Sequence, residues 1–229
     1  MGSEAEDPGH GEPNERLCTV SRDEAGKLLA HVETHAPELH VMLATGLYCG
    51  LRKGELLGLR WTDLDLDVGR LDVRRSYGTT PKSGTARFVP INGELVPLLR
   101  AWRDRAPRVA ENLVFPVRDD GVVRAGNAYD MLDLPKLLAA ANCHVPAKPW
   151  HALRHSFASH FMMAGGNILT LQKLLGHSTL AMTLRYAHLA RDFVATEVNR
   201  MSFVDTIAGV ERIENAQRQA AIRCVFRAS

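Results

Sequence analysis

One segment of the chain sets two basic side chains where they could meet the same anion. His151 and Arg154 are three residues apart in the sequence PWHALRHSFASH, residues 149–160. At that spacing they share one face of a helix, close to its N-terminus, which itself favours phosphate. A guanidinium fork binds two oxygens of a phosphate and keeps its charge at any working pH. The pair therefore predicts a phosphate-binding site.

The same segment allows a second interpretation, a metal site, because His151, His155 and His160 are clustered. No HExxH motif occurs, and histidines separated by four and five residues with no nearby carboxylate make a poor ligand set. The metal site is therefore the weaker hypothesis.

Two further segments carry polar side chains on short, firmly ended elements. ATGLYCGLRKGELLGLRW, residues 44–61, contains Arg52, with Glu55 as its helical neighbour three residues later. LQKLLGHSTLAMTLRYAH, residues 171–188, contains His177 and Tyr186. Taken alone, Arg52 is typical of a structural or surface arginine, and Tyr186 of a half-buried packing residue with a wet hydroxyl.

Most of the elements that would position these residues are helices. Ser21 and Glu24 form a capping box that begins the first of them. Gly176 is expected to end one helix, and Ser178 to cap the last. Apolar periodicity predicts helices over residues 22–34, 38–48, 53–57, 93–105, 125–141, 151–163, 168–175 and 178–190.

Two alternating segments, 71–75 and 86–91, are typical of strands, and the turn 81–84 would join them into a hairpin with Lys82 near its bend. The sequence thus predicts a mainly α fold with a small antiparallel β-sheet, of the α+β class.

Composition predicts one sizeable domain with two appendages. The chain has 229 residues, of which 45% are hydrophobic. Residues 1–16 have the composition of a disordered acidic Gly/Pro tail or a cloning remnant. We assign 17–200 to the main domain and 201–229 to a C-terminal tail. The weak amphipathic character of this tail fits a packed helix, a partner-binding tail or disorder.

The charge of the chain is unevenly distributed. Residues 1–16 carry five acids and one base, so removing their net −4 from the total of +2 leaves +6 on the rest. The segment from Arg70 to Arg105 contains eight basic residues and three acidic ones. Such a stripe suits a DNA backbone, with Arg74, Arg75 and Arg87 as candidate contacts. An ordinary solvated, arginine-rich surface remains the alternative.

Other classes of protein fit the sequence poorly. No apolar stretch approaches the roughly 20 residues of a membrane span, and no secretory signal follows Met1, so we expect a soluble, cytoplasmic protein. The four cysteines form no CxxC pair, which argues against a structural zinc site or a disulfide framework.

Together the three segments and the hairpin resemble, in order and in local sequence, the tyrosine recombinase (phage integrase) family over about residues 17–189. The resemblance implies that family's catalytic-domain fold for residues 17–200. It implies a catalytic set consisting of Arg52, Lys82, His151, Arg154, His177 and Tyr186, with Glu55 in a supporting role.

The resemblance also implies a reaction. Tyr186 would attack a DNA phosphate while Arg52 and Arg154 stabilise the developing charge. His151 would accept the tyrosine proton, and Lys82 would protonate the leaving 5′ oxygen. The result would be a covalent 3′-phosphotyrosine, which a DNA hydroxyl can reseal without metal, ATP or any other cofactor. His177 would donate a hydrogen bond to the phosphate, and Glu55 would orient Arg52 or another base of the active site.

The implied partners are double-stranded DNA, other copies of the chain in a homo-tetramer on paired DNA sites, and accessory DNA-bending proteins, with no membrane. Residues 201–229 would form a helix exchanged between protomers. Most family members carry a further DNA-binding domain in front, whereas only about 20 residues precede the first predicted helix here.

Three rival functions stay open. They are a non-cleaving DNA-binding or regulatory remnant of an integrase, a DNA-relaxing enzyme similar to type IB topoisomerases, and a metal-dependent phosphodiesterase.

Overall fold

The computed structural model describes residues 19–76, 86–109, 112–119, 122–124 and 133–190, with the backbone alone for 117–119 and 122–124. All of these residues belong to one compact unit that ends at Arg191. The predicted tails 1–16 and 201–229 lie outside the described residues, and the predicted domain boundaries stay predictions. Within the described part of the chain the α-helices are α1 (Arg22–His35), α2 (Pro37–Cys49), α3 (Lys53–Leu57), α4 (Leu95–Arg105), α5 (Leu134–Ala140), α6 (Pro149–Met163), α7 (Ile168–Leu175) and α8 (Ala181–Leu184).

The first three helices begin and end where the sequence predicts, to within one residue. The Ser21 hydroxyl accepts from the Glu24 amide, and the Glu24 carboxylate accepts from the Ser21 amide, so the predicted capping box starts α1. Pro37 opens α2, and Gly50 ends it in the left-handed conformation at φ 60°. This tight exit places Arg52 directly before α3.

A three-stranded antiparallel sheet follows, in the order β1 (Leu64–Asp65), β2 (Arg70–Val73), β3 (Arg87–Pro90). The predicted hairpin is confirmed in β2 and β3, where Leu71 pairs with Val89 and Val73 with Arg87. Leu71, Val73 and Val89 are buried against α2 and α4 in the main core. The turn that carries Lys82 lies outside the described residues.

The stretch before α6 differs from the prediction. A second, two-stranded antiparallel sheet pairs β4 (Val117–Asp119) with β5 (Val122–Arg124), which the sequence did not predict. The first part of the helix predicted over 125–141, residues 125–132, lies outside the described residues. Its second part contains α5, whose N-cap Asp133 accepts from the Lys136 amide. Asp133 followed by Leu134 and Pro135 is a strong helix start, and periodicity alone did not reveal it.

The last predicted helix, 178–190, is wrong as a continuous element. α8 spans four residues, and a 3₁₀ helix, Ala187–Leu189, follows after a break at Tyr186. The Ser178 hydroxyl contacts the Met182 sulfur instead of capping the helix. The Tyr186 amide bonds to the Thr183 carbonyl three residues back, which tightens the turn. This tightened turn accompanies an inward-facing Tyr186 side chain, which is buried with Leu171 and Leu175.

Among the helices that the structure describes, none is long and apolar enough to cross a membrane.

Candidate active site

Glu55 is the centre of a cluster of arginines. It lies on α3, its side chain is 1% exposed, and its carboxylate accepts from the Arg52 amide at 2.8 Å and from the Arg52 guanidinium at 3.0 Å. Arg87 of β3 binds both oxygens of the same carboxylate, at 2.9 and 2.8 Å. Arg154 of α6 approaches it to 3.8 Å. One buried carboxylate thus gathers three guanidinium groups from three elements.

Carbonyls at helix ends complete the coordination of two of these arginines. Arg154 donates to the carbonyls of Gly50, after α2, and Leu175, at the end of α7, at 2.8 and 2.5 Å. Arg87 donates through Nε to the Leu174 carbonyl at 2.8 Å. The last carbonyls of a helix have no partner inside the helix, so they are natural acceptors for buried guanidinium groups. The cluster therefore fixes α3, β3, α6 and the end of α7 relative to one another.

The cluster keeps a net positive charge, because three guanidinium groups face one carboxylate. Burial by itself would raise the pKa of Glu55, but the hydrogen bonds and charge of Arg87, with smaller contributions from Arg52 and Arg154, hold it at about 2. Burial, together with the neighbouring charge of Arg52, lowers the pKa of Arg154 to about 9. Glu55 is thus ionised at neutral pH, and the surplus positive charge suits an incoming phosphate.

His177 follows Gly176 at the end of α7, beside this cluster. Its Nδ1 shares a hydrogen bond of 2.9 Å with the Thr183 hydroxyl. Burial lowers the pKa of His177 to about 4, and the charges of Arg154, Arg52 and Arg87 act in the same direction. Without a bound phosphate the imidazole is therefore neutral at pH 7, a form that can donate one hydrogen bond.

The Tyr186 hydroxyl lies 2.5 Å from Nδ1 of His155 on α6. The tyrosine is 6% exposed, and its charge when ionised would raise the pKa of Arg154, so the hydroxyl lies within electrostatic reach of the cluster. His151, the predicted proton acceptor, lies exposed in the first turn of α6. The structure thus brings together Arg52, Glu55, Arg154, His177 and Tyr186 from the predicted set. Lys82 lies outside the described residues.

Sequence reasoning missed two members of the site. Arg87 was predicted to be a surface contact with DNA, but its side chain is 8% exposed and bound to Glu55. The alternation along β3 indicates that the Arg87 side chain faces inward, because Arg87 shares a face of the strand with the buried Val89. His155 was considered only as a metal ligand, although it is one helical turn after His151.

The other two predicted DNA contacts lie nearer the surface. Arg74 is 55% exposed and pairs with Asp72 at 2.8 Å, while Arg75 pairs with the buried Asp63 at 2.5 Å. Arg74 keeps the exposure that a DNA contact requires. In the described part of the chain, no three histidine, cysteine or acidic residues are placed to hold a metal ion.

The helical fold and this site define a class of protein, the catalytic domains of tyrosine recombinases. The solved catalytic domain of bacteriophage HP1 integrase is 30% identical, with a TM-score of 0.59 over 80% of this chain and 94% of that one. XerA recombinase is 25% identical, with a TM-score of 0.62 over 81% of this chain and 66% of that one.

Residues 19–192 match the phage integrase family, and the chain belongs to that family. It is 37% identical to the tyrosine recombinase XerC of Xanthomonas campestris pv. campestris (strain B100) over 77% of this chain and 53% of that protein. It is also 37% identical to the integrase of Haemophilus phage HP1 (strain HP1c1), over 62% of this chain and 36% of that protein. The chain thus spans about half the length, or less, of these curated relatives.

Proposed function

We propose that this chain is the catalytic domain of a site-specific DNA recombinase, which cleaves and rejoins DNA strands through a covalent 3′-phosphotyrosine. The observation that carries the proposal is the Glu55 cluster, with three guanidinium groups fixed around one carboxylate and a tyrosine hydroxyl within electrostatic reach. A phosphodiester under attack gains negative charge on its nonbridging oxygens, and positive groups already held in position stabilise that charge at no cost in reorganisation.

The proposed reaction has two balanced steps. The Tyr186 oxygen attacks phosphorus, its proton passes to a base, and the bond from phosphorus to the 5′ oxygen breaks as that oxygen takes a proton. A DNA 5′ hydroxyl then reverses the step, so the energy of the broken bond is kept and no ATP is consumed. The arginines supply the charge that a metal ion supplies in other phosphoryl-transfer enzymes, so the proposal requires no metal.

The remaining roles extend the same proposal. Arg52 and Arg154 would bind the nonbridging oxygens, and Glu55 would orient both arginines. Neutral His177 would donate a hydrogen bond to the phosphate. His151, on the exposed side of α6, would contact the DNA at the cleavage site, and Lys82 would protonate the leaving 5′ oxygen.

The proposed substrate is double-stranded DNA, and the proposed assembly is a homo-tetramer on paired sites, with residues 201–229 exchanged between protomers and accessory DNA-bending proteins as further partners. Support for DNA comes from structural neighbours whose solved forms include it, among them the Tn1549 transposon integrase with transposon right end DNA. XerH recombinase bound to its difH substrate is a second such neighbour. A DNA substrate is also the reason to retain the predicted cytoplasmic location.

A trapping assay tests the function. The protein is incubated in EDTA with nicked duplexes tiled from the DNA that flanks its gene, and adducts that survive denaturation are counted. A nick lets the cleaved strand diffuse away, so the covalent intermediate accumulates. We expect an adduct that Tyr186→Phe abolishes and Tyr48→Phe preserves, because the Tyr48 hydroxyl donates to Glu94, which has no part in the proposed chemistry.

The outcomes separate the rival functions. An adduct that requires a divalent metal, or that persists in Tyr186→Phe, would refute the proposed chemistry. DNA binding without any adduct would favour the non-cleaving remnant. Efficient relaxation of supercoiled plasmid without paired sites would favour the relaxing enzyme.

A further inference from the structure

The Tyr186 hydroxyl has a partner whose chemistry differs from that of the arginines. Nδ1 of His155 lies 2.5 Å from the hydroxyl oxygen, just below the range of about 2.6–3.2 Å over which a positioned general base takes a proton. His155 directly follows Arg154 on α6, and its charge when protonated would lower the pKa of His177. The histidine thus contacts the proposed nucleophile and lies among the phosphate-binding groups.

We infer that His155 is the catalytic base that accepts the proton of Tyr186 as the tyrosine attacks DNA; this inference rests on the proposed function. In the step, the phenolic O–H bond breaks, its proton binds Nδ1, and the oxygen forms the bond to phosphorus. His155 becomes an imidazolium, and in resealing it returns the proton to the tyrosine. No further reactant is needed.

Neighbouring groups of the site are less suited to this role. Arginine has no acceptor atom, so Arg52, Arg87 and Arg154 cannot take the proton. Nδ1 of His177 is engaged with the Thr183 hydroxyl. His151 lies one helical turn before His155 and is exposed, whereas Tyr186 is buried. The geometry therefore favours His155 as the acceptor of the tyrosine proton, and His151 as a residue that contacts the DNA.

His155 can act as the base in only one of its two neutral tautomers. Nδ1 can accept only if the neutral ring carries its proton on Nε2. A ring with its proton on Nδ1 would donate to the tyrosine oxygen instead, and it could not serve as the base. The tautomer can be measured without DNA and without catalysis.

The first measurement is the ¹⁵N NMR spectrum of the protein labelled at histidine, with the His155 signals assigned by their absence in His155→Asn. We expect an unprotonated Nδ1 in the wild type at neutral pH, and a change in its shift in Tyr186→Phe. A protonated Nδ1, or a signal indifferent to Tyr186→Phe, would overturn the inference whatever the protein does to DNA.

The second measurement is the single-turnover rate of adduct formation. His155→Asn can keep a hydrogen bond at the position of Nδ1 but is not a base, whereas His155→Ala keeps neither. Positioned bases contribute at least about 10²-fold, so both variants should lose about that much. The matched control is His160→Asn on the same helix, where the histidine bonds to the Val20 carbonyl, and it should retain the rate.

The pH dependence separates a base from a structural support. Without the base, the rate should follow the ionised fraction of the phenol, so between pH 6 and pH 8 the defect of His155→Asn should shrink by up to about tenfold per pH unit. Other charged or imidazole groups on or beside the packed elements include His177, Arg154, Arg185 and His188. These groups are present in both the wild type and His155→Asn. Their effects on the rate therefore largely cancel in the ratio of the two rates at each pH.

Each result is decisive. A rate preserved in His155→Asn but lost in His155→Ala would assign His155 to positioning, and a faster His155→Ala would make it a restraint on Tyr186. A defect independent of pH would also refute the base. No adduct in the wild type would refute the proposed function and this step together, whereas an adduct indifferent to His155→Asn would refute the step alone.

Discussion

The two halves of the site are held in different ways. The arginine half is assembled around Glu55, with hydrogen bonds from Arg52 and Arg87 and with Arg154 anchored on the Gly50 and Leu175 carbonyls. The tyrosine half depends on a four-residue helix and a 3₁₀ turn, with the Tyr186 hydroxyl bonded to the His155 side chain. The arginine half is thus fixed by many hydrogen bonds, whereas the proposed nucleophile lies on a short element.

This difference matches the chemistry required of each half. Stabilising developing charge depends on groups that do not have to move, so a buried network with many bonds serves the arginines. A nucleophile must change bonding partners during the reaction, so many fixed bonds to its hydroxyl would oppose attack. Damage to the arginine half should therefore cost stability as well as activity, whereas removal of the Tyr186 hydroxyl alone should cost mainly activity.

Replacing Glu55 is the strongest way to break the arginine half. In Glu55→Gln, buried guanidinium groups lose their counter-charge. The pKa of Glu55 is lowered from 4.5 to about 2, and at about 1.4 kcal/mol per unit this corresponds to about 3 kcal/mol of stability at pH 7. Urea unfolding should show a loss of that size in the variant, with loss of adduct formation.

The same variant has a pH signature. A carboxylate with a depressed folded-state pKa stabilises the fold fully above its unfolded pKa, and this stability is lost as the pH falls towards the folded value. The gap between wild type and Glu55→Gln should therefore be full above about pH 4.5 and close as the pH falls from 4.5 towards 2. Asp23→Asn, which breaks an exposed pair with Lys27, should change stability far less than Glu55→Gln does. A gap that stays constant with pH would contradict the assignment.

Gly176 tests the junction between the two halves at smaller cost. It has φ +61°, and a Cβ atom there would lie 2.8 Å from Cδ of Arg87, whose guanidinium is fixed by Glu55 and the Leu174 carbonyl. Gly176→Ala should lower the free energy of unfolding by about 1–2 kcal/mol, measured by urea titration.

The matched control for Gly176→Ala is a glycine in open space within a helix. At Gly26 of α1, a Cβ atom would meet nothing within 4 Å, so Gly26→Ala should stabilise the protein by about 0.5–1 kcal/mol. Equal effects of the two substitutions would remove the argument that Gly176 is required by its backbone conformation and by Arg87.

Local signals in the sequence predicted the elements that such signals control. The Ser21 and Glu24 capping box and Gly176 act within a few residues, and the start of α1 and the end of α7 follow them closely. The break at Tyr186 could not be predicted in this way, because Ser178 carries an N-cap signal and the inward turn depends on packing against α6 and α7.

The composition of the site divides in the same way. Arg52, Arg154 and His177 lie on or next to elements whose bounds the sequence predicted. Tyr186 reaches them through a turn that the sequence did not predict. The pairing of Arg87 with Glu55 joins residues 32 apart and depends on how β3 packs against α3, which charge counting along the chain cannot reveal. Alternation along β3 indicates that the Arg87 side chain faces inward. Its partner, Glu55, can be identified only from the folded structure.

The smallest expected effect concerns the surface arginines, which lie outside both halves. Removing one arginine that binds a phosphate should reduce the slope of log K against log salt by about one. In a Tyr186→Phe background, which prevents cleavage, Arg74→Gln should lower the slope by about that amount for a labelled duplex followed by anisotropy. An unchanged slope would favour the solvated-surface interpretation. Arg74 is more informative than Arg75, because Arg75 is paired with the buried Asp63 and its loss would disturb the fold as well.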